Sequence, residues 1–159
     1  MEKTNVMRIL DQKKVAYTPH CIGDNTTMTG VQVANALGVP ADIVFKTLVT
    51  VGKSGANYVF AVPIGGELDL KKAAKAVGEK SIEMLKSREL LPLTGYIHGG
   101  CSPIGMKKFF KTTFDITAKD KERIFFSAGK IGYQVELSPN DLSKVIRFSY
   151  ADIAANRGV

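Results

Sequence analysis

The 159-residue chain has only two cysteines and two histidines. Cys21 and Cys101 form no CxxC pair, which argues against a disulfide-built scaffold and fits a reduced compartment. His20 abuts Cys21, and His98 lies three residues before Cys101. Adjacent strand residues point to opposite faces, so His20 and Cys21 are poor co-ligands for a zinc tetrahedron. No metal site is expected, and ordinary packing suits all four residues better than a Cys101–His98 nucleophilic pair. No apolar run reaches the ~20 residues that span a bilayer. The opening Met1–Asn5 enters a helical pattern without the apolar core of a signal peptide. A cytoplasmic protein with no membrane partner is the expectation. There is no internal repeat or low-complexity linker, so residues 1–159 are read as one domain, burying roughly 70% of its extended-chain surface.

Acidic residues are also in deficit, at 15 against 22 lysines and arginines, for a net charge of +7. A surplus of this kind can serve solubility alone. Its clustering is more specific: Lys71, Lys72 and Lys75 share one short helix, and Lys107, Lys108 and Lys111 follow a glycine-rich segment. Two such clusters suit a polyanion such as RNA. Charge alone does not separate RNA from DNA or from a phosphorylated small molecule.

The most informative segment is Gly99-Gly100-Cys101-Ser102-Pro103-Ile104-Gly105, followed by Met106, Lys107 and Lys108. Three glycines and a proline in seven residues do not make a helix or strand interior. A loop of this type turns backbone N–H groups toward an anion, or toward an oxygen that becomes one during reaction. It is not a phosphate-binding P-loop. Gly100 and Gly105 have the right separation, but Met106 stands where the lysine is required and no hydroxyl follows to hold magnesium.

Two other segments carry candidate chemistry. Lys46 sits in Ile43-Val44-Phe45-Lys46-Thr47-Leu48-Val49, apolar enough for a buried strand. A lysine there either snorkels to solvent or faces a cavity with an anionic partner. Thr47 is a possible hydroxyl donor and an ordinary strand former. Ser127-Ala128-Gly129-Lys130 opens a second glycine loop between two strands, for which a tight hairpin is a sufficient reading.

Helices are expected from Thr4 through Lys13 and Lys14, near Gly30 to Leu37, over Leu70 to Val77 behind an Asp69 cap, and from Ser81 to about Leu90. A further helix begins at Ser138-Pro139, and helical segments close the chain before a frayed tail from Asn156. Strands are expected over Val15–Cys21, Val44–Val51 and Tyr58–Val62, the last two as a hairpin. Others are expected over Tyr96–His98, Thr113–Ile116, Arg123–Ser127 and Tyr133–Leu137. A polar loop is read over Gly23–Thr27. The alternation is too irregular for a doubly wound sheet. The fold class is α+β (mixed α/β), a single curved mixed sheet or partly open barrel surrounded by helices.

In order, Val44-Phe45-Lys46-Thr47-Leu48, Gly65-Gly66-Glu67-Leu68-Asp69-Leu70-Lys71-Lys72-Ala73-Ala74-Lys75, Gly95-Tyr96 through Lys108, and Ser127-Ala128-Gly129-Lys130 resemble the YbaK/EbsC family of aminoacyl-tRNA deacylases. Those proteins are relatives of the editing domain of bacterial prolyl-tRNA synthetases. The resemblance spans about residues 4 to 155. It implies hydrolysis of cysteine from cysteinyl-tRNA(Pro), an error that a second hydrolytic site corrects when one pocket discriminates too weakly. It implies tRNA and prolyl-tRNA synthetase as partners, no DNA, no cofactor and no metal.

By position, the resemblance makes Lys46 the required lysine, with Thr47 in support. It makes Gly99, Gly100, Cys101, Ser102 and Pro103 the loop whose backbone faces the ester carbonyl, with Ile104 and Gly105 completing it. Ser127, Ala128 and Gly129 form the opposite wall. Lys71, Lys72, Lys107, Lys108 and Lys130 lie near RNA. Family members use the substrate's own thiol as nucleophile, so the Cys101 side chain and the histidines are spectators. Some members have aspartate where Gln134 stands, and aromatic residues where Ile22 and Thr29 stand. Two alternatives remain open: water-driven hydrolysis of alanyl-tRNA(Pro), and a non-catalytic tRNA- or synthetase-binding module.

Overall fold

The computed structural model describes residues 1–23 and 28–158. Apart from Gly23, the expected polar loop lies outside the described residues. Helix α1 (Asn5–Gln12) starts at Thr4, whose hydroxyl accepts from the Met7 N–H at 3.3 Å. Its Val6, Met7 and Leu10 are buried against the main core. The helix stops at Gln12, so Lys13 and Lys14 lie beyond it and not in its last turn. Lys14 takes a left-handed φ of 57°, and the Val15 N–H closes back on the Leu10 carbonyl.

Strands β2 (Phe45–Gly52) and β3 (Asn57–Pro63) form the expected hairpin within a five-stranded sheet ordered β5-β2-β3-β6-β9, with β5 (Ile82–Met84) at one edge. Strand β6 (Lys111–Asp115) runs parallel to β3, and β9 (Ser149–Ala151) runs parallel to β6. A second sheet pairs β1 (Thr18–Cys21), β8 (Tyr133–Leu137) and β7 (Ile124–Ser127). A third joins β4 (Glu67–Leu68) to β10 (Ala154–Asn156). The mixed α+β class is as expected, but the strands divide over three sheets, not one. The first two meet through a single parallel bridge, Val44 to Phe125. Beyond that bridge they part, and the gap between them matters below.

One face of the five-stranded sheet buries Phe45, Phe114 and Phe126 with Leu137 and Leu142. The other packs Phe60 and Val62 on Ala73 and Ala74 of α3 (Leu70–Val77). Asp69 caps α3 by accepting from the Lys71 and Lys72 N–H groups. Helix α2 (Gly30–Leu37) lays Ala34 against Val44 and Phe125, next to the bridge.

Three sequence readings are corrected. Ser81 to Leu90 is not one helix: Ile82–Met84 is β5, paired to β2, and α4 spans Ser87–Thr94. Glu83, Met84 and Leu85 favour helix locally, but the free edge of β2 captures the segment. Tyr96–His98 is not a strand: Gly95 ends α4 at φ 87°, and the Tyr96 N–H is taken by the Thr94 hydroxyl. The alanine-rich C-terminal segment is not helical but supplies β9 and β10.

A buried carboxylate holds that C-terminal segment in place. Asp115 accepts from Arg157 at 2.9 and 3.1 Å, from the Thr117 hydroxyl at 2.6 Å and from the Ile153 N–H at 3.2 Å. Burial alone would raise its pKa, but the Arg157, Thr117 and Ile153 hydrogen bonds together hold it below the ordinary 3.8. Arg157→Ala leaves that carboxylate without its counter-charge and should cost about 3 kcal/mol of stability in urea titrations. A carboxylate with a depressed folded pKa contributes stability above the unfolded value, and loses it as pH falls through the folded one. The stability advantage over Asp115→Asn should therefore be full at neutral pH, begin to fall below about pH 4 and be lost only below the depressed folded pKa.

Candidate functional site

Between residues Phe45 and Leu48, β2 has a ladder partner on one edge only, β3; on the other edge the Val49 carbonyl accepts from the Leu85 N–H and β5 pairs from Thr50. The gap toward the second sheet opens as a cavity of about 800 Å³, within the usual range for small-molecule sites. Its β2 wall contains Phe45, Lys46, Thr47, Leu48 and Val49. Opposite stand Ser127 and Gln134, neighbours in the β7–β8 register and so on one face of that sheet. His98, Gly99 and Cys101 also line the cavity, and Ile22, Leu85 and Leu90 supply apolar surface.

Two buried polar atoms lack a partner among the described residues: Thr47 Oγ1 and Gln134 Oε1. Both belong to residues lining this cavity. Gln134 is 8% exposed, so bulk water does not readily satisfy it. Leaving such atoms unpaired costs about 1–3 kcal/mol each, a cost that folds retain where a ligand will supply the bond. Lys46 is half-buried, and its ammonium makes no ion pair or hydrogen bond among the described residues. Burial pulls its pKa below the ordinary lysine value, and the more distant Glu67 charge partly offsets this.

Close backbone approach shapes the glycine loop. Ile97 through Gly100 form a turn in which the Gly100 N–H donates to the Ile97 carbonyl at 3.0 Å. Gly99, at φ 86°, takes the left-handed position of that turn. A Cβ on Gly100 would come within 3.3 Å of the Ile131 nitrogen, so this loop and the β7–β8 loop touch backbone to backbone. The Gly100 donor is therefore committed to the turn, while Gly99 and Cys101 border the cavity. Ser102, Pro103 and Ile104 are buried and Gly105 is exposed; none of the four lines the cavity. Ser102 instead accepts from the Ile104 N–H at 3.3 Å. Ala128 and Gly129 lie behind Ser127, whose hydroxyl accepts from the Gly129 N–H at 3.1 Å. Thr29 begins α2 at the surface, between Met28 and Gly30, which do line the cavity.

The Cys101 thiol is pushed up to about 12 by burial. It therefore carries essentially no thiolate at neutral pH, which removes the Cys101–His98 pair as a nucleophile. His20 lies outside the cavity, with Nε2 2.9 Å from Glu136 Oε1. Among the described residues, no three His, Cys, Asp or Glu side chains converge as a metal ion would require. The expected RNA-facing lysines divide. Lys72 pairs with Asp152, Lys107 reaches the Pro92 carbonyl, and Lys130 pairs with Glu2. Lys108 stands over the Phe110 ring, and Lys71 is exposed. Sequence reasoning missed Leu85, Leu90, Ile64 and Ile131 as cavity residues. The first two fall in the segment misread as one helix, and no local signal marks the others.

Residues 24–145 match the family described as the aminoacyl-tRNA editing domain. The chain is 44% identical over 153 residues to EbsC of Enterococcus faecalis, covering 96% of this chain and 93% of that protein. EbsC is named, provisionally, as a Cys-tRNA(Pro)/Cys-tRNA(Cys) deacylase. A segment of the proline–tRNA ligase of Shouchella clausii is 31% identical over 102 residues, 64% of this chain and 18% of that enzyme. A solved structure described as a proposed trans-editing enzyme for prolyl tRNA synthetase superposes with a TM-score of 0.80 at 23% identity, covering 95% of both chains. That last likeness establishes the fold.

Gly129→Ala tests the packing of the site. Gly129 has φ 92°, and a Cβ there would lie 3.0 Å from the Tyr96 ring and 3.2 Å from Val6. Left-handed strain and overpacking together should cost at least about 2 kcal/mol by chemical denaturation. Gly55→Ala shares the positive φ but faces open space, and should cost less. By its sequence and its fold, this chain belongs to the aminoacyl-tRNA editing domain family.

Proposed function

We propose that this protein deacylates cysteinyl-tRNA(Pro) in the cytoplasm, without a metal or cofactor, correcting an error of prolyl-tRNA synthetase. The observation that carries the reading is the pair of unsatisfied buried atoms, Thr47 Oγ1 and Gln134 Oε1, in residues that line one cavity together with Lys46. An aminoacyl ester on a terminal ribose has the complementary groups. Its ammonium donates to Gln134 Oε1, its ribose hydroxyl or ester oxygen meets Thr47, and its adjacent phosphate draws Lys46. A neutral glutamine accepts from the ammonium through its amide oxygen alone. The similarity to EbsC and to a segment of proline–tRNA ligase supports the choice of tRNA(Pro).

The chemistry needs no protein nucleophile. The substrate thiol gives up its proton and its sulfur attacks the ester carbonyl carbon. The bond from that carbon to the ribose oxygen breaks, and the oxygen takes a proton. The thiolactone so formed hydrolyses in water to free cysteine. Intramolecular attack benefits from proximity, so the protein's task is to fold the aminoacyl group back on itself. Backbone N–H groups at Gly99 and Cys101 stabilise the developing oxyanion, a contribution of about 3 kcal/mol per donor in comparable sites. Lys46 stabilises the leaving oxygen while it is charged.

Purified protein should release cysteine from cysteinyl-tRNA(Pro), and Lys46→Ala should lower kcat/KM by at least about 100-fold with an unchanged melting curve. Full activity in Lys46→Ala would remove the lysine from the mechanism. Release of alanine at a comparable rate would remove the thiol step, because alanine has no side-chain nucleophile. RNA binding with no release of either amino acid would leave the non-catalytic module.

The charge of Lys46 gives a pH test. The ammonium is the active form, and its lowered pKa brings its loss to a lower pH than for a free lysine. After subtraction of spontaneous hydrolysis, activity should fall on the alkaline side, and Lys46→Arg should push that fall upward beyond the accessible range.

A further inference from the structure

A second concavity, of about 430 Å³, lies between α3 and β5. Lys71, Lys75 and Lys80 line it, with Glu79, Ser81 and Ile82. Lys71 and Lys75 are one helical turn apart on α3, and Lys80 follows the Gly78 turn that ends it. All three are exposed, and none of their ammonium groups has a hydrogen bond or ion pair among the described residues. Lys72, on the same helix, differs: it is held by Asp152 at 3.2 Å and by the Ala154 carbonyl at 3.1 Å. The acid in the groove is also committed. Glu79 accepts from the Ser54 and Tyr58 hydroxyls at 2.5 and 2.6 Å. Three unpaired cations thus face one engaged carboxylate.

The groove and the cavity share strand β5 as a wall. Ile82 at the start of β5 lines the groove, and Met84 at its end lines the cavity, as does Leu85. At ~3.3 Å per residue, Ile82 and Met84 are roughly 7 Å apart along that strand. On β2, Leu48 packs with Ala73 and Ala74 beneath α3. Lys46, two residues earlier, shares that face. The cavity's lysine therefore stands on the groove side.

We propose that the α3–β5 groove holds backbone phosphates of a single-stranded RNA 3′ end whose last nucleotide enters the cavity. Lys71, Lys75 and Lys80 provide the contacts, while Lys72, Lys107 and Lys130 serve internal partners. This rests on the deacylase reading for the occupant of the cavity, but the groove can be tested without hydrolysis.

The probe is uncharged tRNA and a short single-stranded RNA ending in CCA, with binding followed by fluorescence anisotropy across a salt series. The variant is Lys71→Gln/Lys75→Gln/Lys80→Gln, which preserves helix propensity and is checked by its melting curve. Lys13→Gln/Lys119→Gln/Lys144→Gln is the charge-matched control. The groove triple should lose at least about tenfold in affinity, and the slope of log K against log salt should fall by about 2, as for three single-strand phosphates. Equal loss in both triples, or no loss in the groove triple, overturns the proposal. Hydrolysis separates it from the deacylase reading. The groove triple should show raised KM on cysteinyl-tRNA but an unchanged rate on cysteinyl-adenosine, which has no phosphate. Equal hydrolysis of both substrates by the groove triple and wild type would sink the groove alone. Groove-dependent RNA binding with no hydrolysis of either ester would sink the deacylase reading alone.

Discussion

The Tyr96 phenol is the pin on which the candidate site turns. Its hydroxyl donates to the Ile104 carbonyl inside the protein, where Ile104 is 1% exposed. Burial, reinforced by the neighbouring Cys101, pushes the phenol up to about 12, so it remains a donor at any working pH. The same ring leaves no room for side chains at Gly105 and Gly129, whose added Cβ atoms would meet it at 2.7 and 3.0 Å. One residue thus tethers the glycine loop from below and sets how near the β7–β8 loop can come. A buried carbonyl that lost this donor would cost about 1–3 kcal/mol, and the loop would be free to shift. The positions of Gly99 and Cys101 at the cavity rim follow from this anchor.

Around that rim, burial shifts the ionisable groups in a consistent direction. The Cys101 thiol is driven toward its neutral form, and the Lys46 ammonium toward loss of its proton. Burial of this kind disfavours the charged form of each group and strengthens the electrostatic effect of neighbouring dipoles. The cavity's lining offers backbone groups, the Thr47 and Ser127 hydroxyls, the Gln134 amide, the His98 ring and Lys46, a set that can orient a ligand and stabilise charge. The distant Asp115–Arg157 pair does different work, fixing the C-terminal strands at the edge of the sheet.

Much of this was legible in the sequence because it is encoded locally. Thr4, Asp69, Gly38 and Gly78 act at the helix ends where their types suggest. The hairpin from Phe45 to Pro63 reads from its β-rich runs and its glycine turn. Lys46, Thr47, Gly99, Ser127 and Gln134, far apart in the chain, do meet in one cavity. What local patterns could not show was competition between distant elements. The edge of β2 takes Ile82–Met84 from a helix-favouring sequence, and β6 and β4 take the alanine-rich C-terminal segment as strands. Tyr96 looked like part of a strand because an aromatic flanked by isoleucine resembles one. Its real task, a hydrogen bond to a residue eight positions on, has no periodic signature. The division of the lysines was equally hidden, since Lys71 and Lys72 are adjacent in sequence and only one faces an acid.

The choice of glutamine at position 134 bears on how the cavity selects. A carboxylate at this 8%-exposed position would need a permanent counter-charge or would take up a proton. Lys46 is the one lysine or arginine among the residues lining the cavity, and pairing the two would consume that cation. An amide avoids that neutralisation and leaves Lys46 uncommitted. The unsatisfied oxygen costs less than a buried charge, and a ligand that brings an N–H donor removes the cost on binding. A ligand without that donor leaves it in place, a difference of about tenfold or more in affinity at ~1.4 kcal/mol. The unpaired Gln134 oxygen thus favours a ligand that carries an N–H donor over one that lacks it.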